Sequence, residues 1–271
     1  MNPTLGQRLS SEDVAERRAA CATVPDDPSA ALWLETLAER LSDPDDGVVR
    51  AAAEALGRIG KREAGAATLL RRALGGRRRA GRIHAALTLA QLEPPGPALL
   101  PGLVEALETP EGDVRWRAAR TLVDLGRLHG EVLTALTGLA RAGESSAVRR
   151  MAVLCLPQLA PDRVEVAEAL LEVSRDSDEP LRRAALNALG GLMAPPDAVA
   201  ARLLEVMESD TDACAGAAAL ALAGLAPTSG WTGRVSGAFE ALERRSLRPE
   251  VQIAVTRARE RLARGVAEDS P

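Results

Sequence analysis

DPDDGVVRAAAEALGRIG, residues 43–60, decides how the chain folds, because its pattern returns along nearly all of the 271-residue sequence. Asp43, Asp45 and Asp46 place cap oxygens and negative charge where the positive end of a helix dipole would begin, and Gly57 and Gly60 offer positions at which a last turn can close. Between them Val48, Ala52, Ala55, Leu56 and Ile59 recur at three- and four-residue intervals, which collects them on one helix face.

Aligned on Val48, the equivalent positions are Ala15, Gly81, Val114, Val148, Leu181, Cys214 and Val251, with successive spacings of 33, 33, 33, 34, 33, 33 and 37 residues. Four and five places after each marker stand small residues: Ala19 and Ala20, Ala52 and Ala53, Ala85 and Ala86, Ala118 and Ala119, Ala152 and Val153, Ala185 and Leu186, Ala218 and Ala219. Eight places after it come Leu56, Leu89, Leu122, Leu156, Leu189 and Leu222. Agreement at several positions over so many spacings is the mark of a solenoid. The first and last copies depart, with Thr23 and Arg259 where Leu is expected, as befits ends that show water a face inner repeats bury.

A second apolar-periodic segment lies between successive copies: 31–41, 66–74, 98–107, 131–142, 164–174, 198–208 and 233–243. Each repeat is therefore expected to be two short helices, A and B, joined by turns rich in Gly, Pro, Asp and Ser. Helices this short are marginal alone in water, so neighbouring repeats must stabilise them. The 37-residue spacing traces to APTSGWTG, Ala226 to Gly233. Connections are otherwise short, so residues 1–265 are expected to form a single repeat domain, with Val266 to Pro271 as a tail.

Composition agrees. Hydrophobic residues make up 46% but aromatics only 1%, with three Trp, one Phe and no Tyr, so Ala and Leu must fill the interior. That suits closely packed helices and argues against a β-sandwich or barrel, giving an all-α class. A net charge of -4 creates no global attraction to nucleic acid or anionic membrane, and no run of about 18 apolar residues could span a bilayer. A cytoplasmic, soluble protein is expected. Cys21, Cys155 and Cys214 lack metal or CxxC spacing and read as small buried thiols.

DDGVVRAAAEALGRIG, GDVRWRAARTLVDLG and DEPLRRAALNALGGL resemble the short HEAT-like repeats found in phycobilin lyases and many bacterial proteins. The resemblance covers nearly the whole chain and implies a right-handed α-solenoid, an alpha-alpha superhelix, of about eight two-helix repeats. It further implies a non-enzymatic scaffold or adaptor whose B helices line a concave surface for a protein partner. In such repeats an Arg near the start of the B helix commonly pairs with an acid of its own or the adjacent repeat. Arg17, Arg50, Arg82, Arg115, Arg149 and Arg182 match that position, with Asp13, Asp46, Asp113 and Glu179 as nearby acids. The seventh repeat has Ala215 and Gly216 there, so the ladder is expected to break near that end.

The second, sixth and tenth places after each marker fall outside the apolar pattern and are expected to face solvent on the B-helix surface. In the central repeats they include Ile83, Leu87, Trp116, Arg120, Arg150, Leu154 and Asn187, a mixture of aromatic, aliphatic and Arg residues typical of protein-binding hot spots. An alternative is anion binding, with nucleic acid as partner, through Arg71, Arg72, Arg77, Arg78, Arg79 and Arg82, which cross an A-to-B turn. His84 and His129, the only histidines, sit in no triad or metal pattern, so neither catalytic nor metal-binding residues are expected and no cofactor is implied. Bilin handling, suggested by the lyase resemblance, is a remote alternative that the scarcity of aromatics disfavours.

Overall fold

Each periodic segment of the sequence is a helix in the computed structural model, which describes residues 4–193, 195–225, 232–245 and 247–268, apart from the side chains of 232–234, 250 and 261–268. Helices follow one another as hairpins: α1 (Leu5–Leu9) with α2 (Val14–Thr23), α3 (Leu34–Arg40) with α4 (Asp46–Gly60), α5 (Gly65–Leu74) with α6 (Arg79–Leu92), and α7 (Leu100–Ala106) with α8 (Gly112–Leu128). They continue as α9 (Glu131–Ala142) with α10 (Ser146–Leu159), α11 (Val164–Val173) with α12 (Glu179–Leu189), α13 (Asp197–Ser209) with α14 (Asp212–Gly224), and α15 (Thr232–Glu243) with α16 (Pro249–Glu268). No strand occurs among the described residues. Short 3-10 turns at Ala30–Trp33 and Pro97–Leu99 lead into α3 and α7. Of the expected irregular stretch and tail, residues 226–231 and 269–271 lie outside the described residues.

Two compact units divide the chain, Met1–His129 and Gly130–Pro271. In the first, α2, α4, α6 and α8 pack side by side as one layer, and α3 and α5 pack together behind them. In the second, α10, α12, α14 and α16 form one layer and α9, α11, α13 and α15 the other. Within each unit, then, the solenoid stacking expected from the repeats is what forms.

The Leu column is the spine of the B-helix layer in each unit. Leu56, Leu89, Leu122, Leu156 and Leu189 are buried, as is Leu222. Each such side chain removed from water contributes about 1.5–3 kcal/mol. The small residues beside them let neighbouring B helices approach closely. Gly57, expected to end α4, instead lies buried within it, where an added Cβ would meet Thr88 Cγ2 of α6 at 2.7 Å. Gly81 replaces the usual apolar marker for a similar reason: a Cβ there would fall 2.4 Å from the Leu41 carbonyl oxygen.

Two registers differ from the sequence alignment. In the first repeat Ala20, Cys21 and Val24 are buried while Ala19 and Thr23 are exposed, so the equivalent of Val48 is Glu16, and Val24 takes the Leu place. The N-cap of α4 is Asp45, accepting from the Val48 amide at 3.0 Å. Four places after that cap stands buried Val49, so Arg50 is one residue out of register with the other arginines and is not part of their ladder.

The arginines in register act as clamps. Arg17 donates to both carboxylate oxygens of Asp43 at 2.8 and 3.0 Å, and its remaining nitrogen to the Ser11 and Glu12 carbonyls. Arg82 does the same with Glu105 and the Gly76 and Arg77 carbonyls, and Arg182 donates to one oxygen of Asp210 and to the Asp176 and Ser177 carbonyls. Arg149 pairs with Asp176 at 2.6 Å, and Arg115 holds the Thr109 and Pro110 carbonyls. The paired acids are therefore Asp43, Glu105, Asp176 and Asp210, from the A helix or A-to-B turn of the following repeat. Asp13, expected as a ladder partner, caps α2 instead, and Asp46 pairs with Arg78. At the seventh repeat the position belongs to Ala215 and the ladder stops.

Burial works against the charged form of Asp43, but the Arg17 hydrogen bonds, the Asp45 amide and the Arg17 and Arg40 charges outweigh it and hold its carboxyl below the usual range. Asp210 is depressed likewise, against burial, by the Thr211 amide and Arg182, and Asp176 chiefly by the Asp178 amide with Arg149. A carboxylate depressed on folding contributes stability that is complete above its unfolded value of about 3.9 and is lost as pH falls through the lower folded value. Urea titrations of wild type are expected to show stability falling below about pH 4, with Asp43→Asn less stable at neutral pH and less sensitive to acid. In the same assay Leu122→Ala should cost about 2–5 kcal/mol through the cavity it leaves.

Candidate protein-binding surface

The outer face of the B-helix layer in the first unit carries side chains that the repeat pattern does not need for packing. On α4 these are Arg50 and Glu54, on α6 His84, and on α8 Trp116, Arg117 and Arg120. Trp116 stands out, with 57% of its surface in water, whereas most large apolar side chains of these helices are buried. Its helix starts at Gly112, so Trp116 lies on the second turn, held in place by the core contacts of Val114, Ala118 and Leu122 on the opposite side.

The neighbouring aliphatics do not join it. Ile83 and Leu87, expected to face solvent, are only 3% and 2% exposed. α6 is flanked by α4 on one side and α8 on the other. On a helix between two neighbours only side chains long enough to pass the flanks stay in water, and Ile and Leu are too short; they widen the apolar stripe instead. His84, half-buried on the same helix, has its pKa lowered first by burial and then by the charges of Arg117 and Arg50, with Glu54 and Glu111 opposing. Arg50, His84 and Arg117 thus share one electrostatic neighbourhood. Arg50 stands at a second place, assigned from the sequence to the ladder, while His84 and Arg117 occupy third places, where Ala51, Met151 and Ala184 of other repeats leave no recurring charge to signal them.

The other expected residues belong to the second unit. Arg150 on α10 donates to Ser146 Oγ at 2.9 Å, and that hydroxyl is hydrogen-bonded to Asp178, so this guanidinium is partly committed within its own layer. Leu154 is half-buried, and Asn187 on α12 is exposed at the edge of a groove that also touches α14 and α16.

The basic stretch of α5 and α6 does not converge on a common point. Arg71 pairs with Glu93, Arg72 with Glu35, Arg78 with Asp46, Arg79 with Glu108 and Arg82 with Glu105. Each goes to its own carboxylate, and of the six only Arg77 is without a partner among the described residues. Pairing spends the donors that a phosphate would need and cancels the field that would attract it.

The three thiols are buried and not in disulfides, and burial pushes Cys21 up to about 11 and Cys155 up to about 12, far from a reactive thiolate. Among the described residues no three His, Cys, Asp or Glu side chains gather as metal ligands, and no helix is long and apolar enough to cross a membrane.

Comparison with known proteins follows the same lines. The family model for HEAT repeats matches residues 2–80, 66–156 and 133–223. The chain belongs to the HEAT-repeat family. Its fold is similar to the X-ray structure of Escherichia coli YibA, at 18% identity and a TM-score of 0.57 over 96% of this chain and 91% of that one. It is also similar to a chain in the structure of Kap95p with RanGDP, at 14% identity and a TM-score of 0.68, covering 96% of this chain but 40% of that one. No curated protein sequence matches the chain. Identities this low establish the HEAT-type architecture alone.

The electrostatic neighbourhood of the α4–α6–α8 face can be read directly. By NMR titration of the imidazole protons, His84 should titrate below the ordinary histidine value of about 6.5. Arg50→Gln and Arg117→Gln should each move it upward, since removing a positive charge relieves the cost of protonation.

Proposed function

We propose that this HEAT-repeat chain is a non-enzymatic, cytoplasmic scaffold or adaptor that binds a protein partner on its B-helix surface. The observation that carries the reading is Trp116, an aromatic left in water in the body of a rigid helix beside Arg117 and Arg120, while most other large apolar residues of its layer are buried and exposed Leu128 lies at the helix end. Trp and Arg dominate the energetics of protein interfaces because one offers a large rigid apolar surface and the other several fixed donors. Presenting them from stacked helices lowers the ordering cost of association, since the backbone that carries them is already fixed.

Arg150, Leu154 and Asn187 offer polar and apolar contacts in the second unit, whereas Ile83 and Leu87 serve as packing beneath the surface. Kap95p, whose binding induces the switch loops of RanGDP to adopt the GTP-bound conformation, is a protein-binding member of the same architecture and lends the reading support by analogy of fold. The paired arginines of the α5–α6 stretch weigh against nucleic acid as the partner.

Affinity capture from the native host tests the proposal. Wild type and Leu32→Ala, which removes an exposed apolar side chain far in sequence from α8, should retain the same protein, and Trp116→Ala/Arg120→Ala should reduce its recovery about tenfold with circular dichroism unchanged. Equal recovery by all three proteins would refute the role of this surface.

A further inference from the structure

The groove bordered by α12, α14 and α16 in the second unit has no counterpart in the repeat pattern. On most B helices the solvent-facing places carry charged or long side chains, such as Arg50 and Glu54 on α4 or Trp116 and Arg120 on α8. On α14 the corresponding stretch is Ala213, Gly216, Ala217 and Leu220, which drops the surface of that helix below its neighbours. An added Cβ at Gly216 would lie 3.0 Å from Val251 Cγ1, so α16 packs down onto α14 and closes one wall. Arg183 and Asn187 from α12 form the other wall, with Arg248 standing across from them at the start of the α16 side. The result is a trough of about 340 Å³ with an apolar floor and polar rims.

The rims of this trough carry positive charge. Arg149, Arg182, Arg202 and Arg245 of the same unit each have a carboxylate partner. Arg183 and Arg248 are exposed and have none among the described residues. Two guanidinium groups without a carboxylate partner among the described residues thus line the rims of a floor that contributes no side-chain donor or acceptor of its own. A ligand seated there gains by placing carboxylates against the rims, where Arg recognises them bidentately, and an apolar group against Leu220 and Ala217. Asn187 supplies both a donor and an acceptor for a peptide bond.

We infer that this groove binds an acidic peptide segment of a protein partner, with a bulky aliphatic or aromatic side chain between its carboxylates; the inference rests on the protein-binding reading and names the class of partner. Two interhelical steps of about 8–10 Å separate α12 from α16, so carboxylates within about six extended residues of one another span the rims. Nucleic acid fits less well. An apolar floor offers nothing to a phosphodiester, and no aromatic side chain lines the groove for base stacking.

Fluorescence anisotropy with a fluorescein-labelled peptide, Leu-Phe flanked on both sides by Glu pairs, tests it. Wild type should bind this peptide, and should bind neither its Lys-for-Glu nor its Ala-for-Leu-Phe counterpart. Arg183→Glu/Arg248→Glu should weaken binding about tenfold or more, and Ala213→Phe, which fills the trough, should do the same, both with unchanged thermal melts. Trp116→Ala should leave the peptide affinity as it is. No binding by wild type, equal binding by the charge-reversed variant, or displacement of the peptide by a single-stranded oligonucleotide would each overturn the inference. Loss of partner capture in Trp116→Ala with the peptide result negative would sink the groove and leave the α8 surface standing; the converse pattern would do the reverse.

Discussion

Each hairpin of this chain is apolar on more sides than it can cover by itself, and that shortage is the constraint from which the rest follows. Helices of ten to fifteen residues are marginal in water, and the pairing of an A with a B helix hides only the stripe between them. The Ala pairs and the Leu column on each B helix remain to be covered by the next B helix. Small residues at the contact let the backbones approach; Leu fills what remains. Close approach of this kind tolerates little added volume, which is why Gly57 and Gly81 stand where a Cβ would strike a neighbouring helix or its carbonyl oxygen.

Packing alone sets spacing but leaves the turns free, and there the arginines act. A guanidinium has donors in a fixed fork, so Arg17, Arg82 and Arg182 can hold two carbonyls of their own turn while gripping an acid of the following repeat. The carbonyls at these turns would otherwise be unmet acceptors next to a helix start. Lys could not serve both tasks at once, which gives the strong bias toward Arg a structural use at these positions. Asp43, nearly sealed from water, depends on this arrangement most, because a carboxylate in that place without its Arg would be a buried, unpaired charge.

Period and helix type were legible from the sequence because they are local: the apolar spacing of residues 43–60 repeats, and the expected A segments match the observed helices within a few residues. Register within a repeat was less so. Arg50 reads as a ladder residue by its distance from Val48, yet the cap at Asp45 puts Val49 in the clamp position, and only the cap geometry tells the two apart. Exposure was least legible. Ile83 and Leu87 occupy solvent-facing places on an isolated helix, but a helix in a stack has flanks, and these depend on neighbours about 33 residues away in sequence. The arginines from Arg71 to Arg82 look like a basic patch for the same reason: their acids, Glu35, Asp46, Glu93, Glu105 and Glu108, come from other segments. Trp116 was readable because no core position of its repeat accounts for it.

The seventh repeat shows how the packing and the clamps together create room for function. α14 contributes no ladder arginine, since Ala215 holds that place. Its turn is nevertheless fixed from both sides: Arg182 reaches Asp210 from the preceding repeat, while Arg245 reaches back from the following one to Asp212 and to the Met207 and Asp210 carbonyls. With the turn held by its neighbours, α14 needs no long polar side chain to keep its position and can consist almost entirely of Ala, Gly and Leu. Small side chains serve packing on its buried side, and on its outer side the same smallness lowers the surface between α12 and α16. A groove in a stack of helices thus arises by leaving one member short, and whatever it recognises is selected by the longer side chains on either side of the gap.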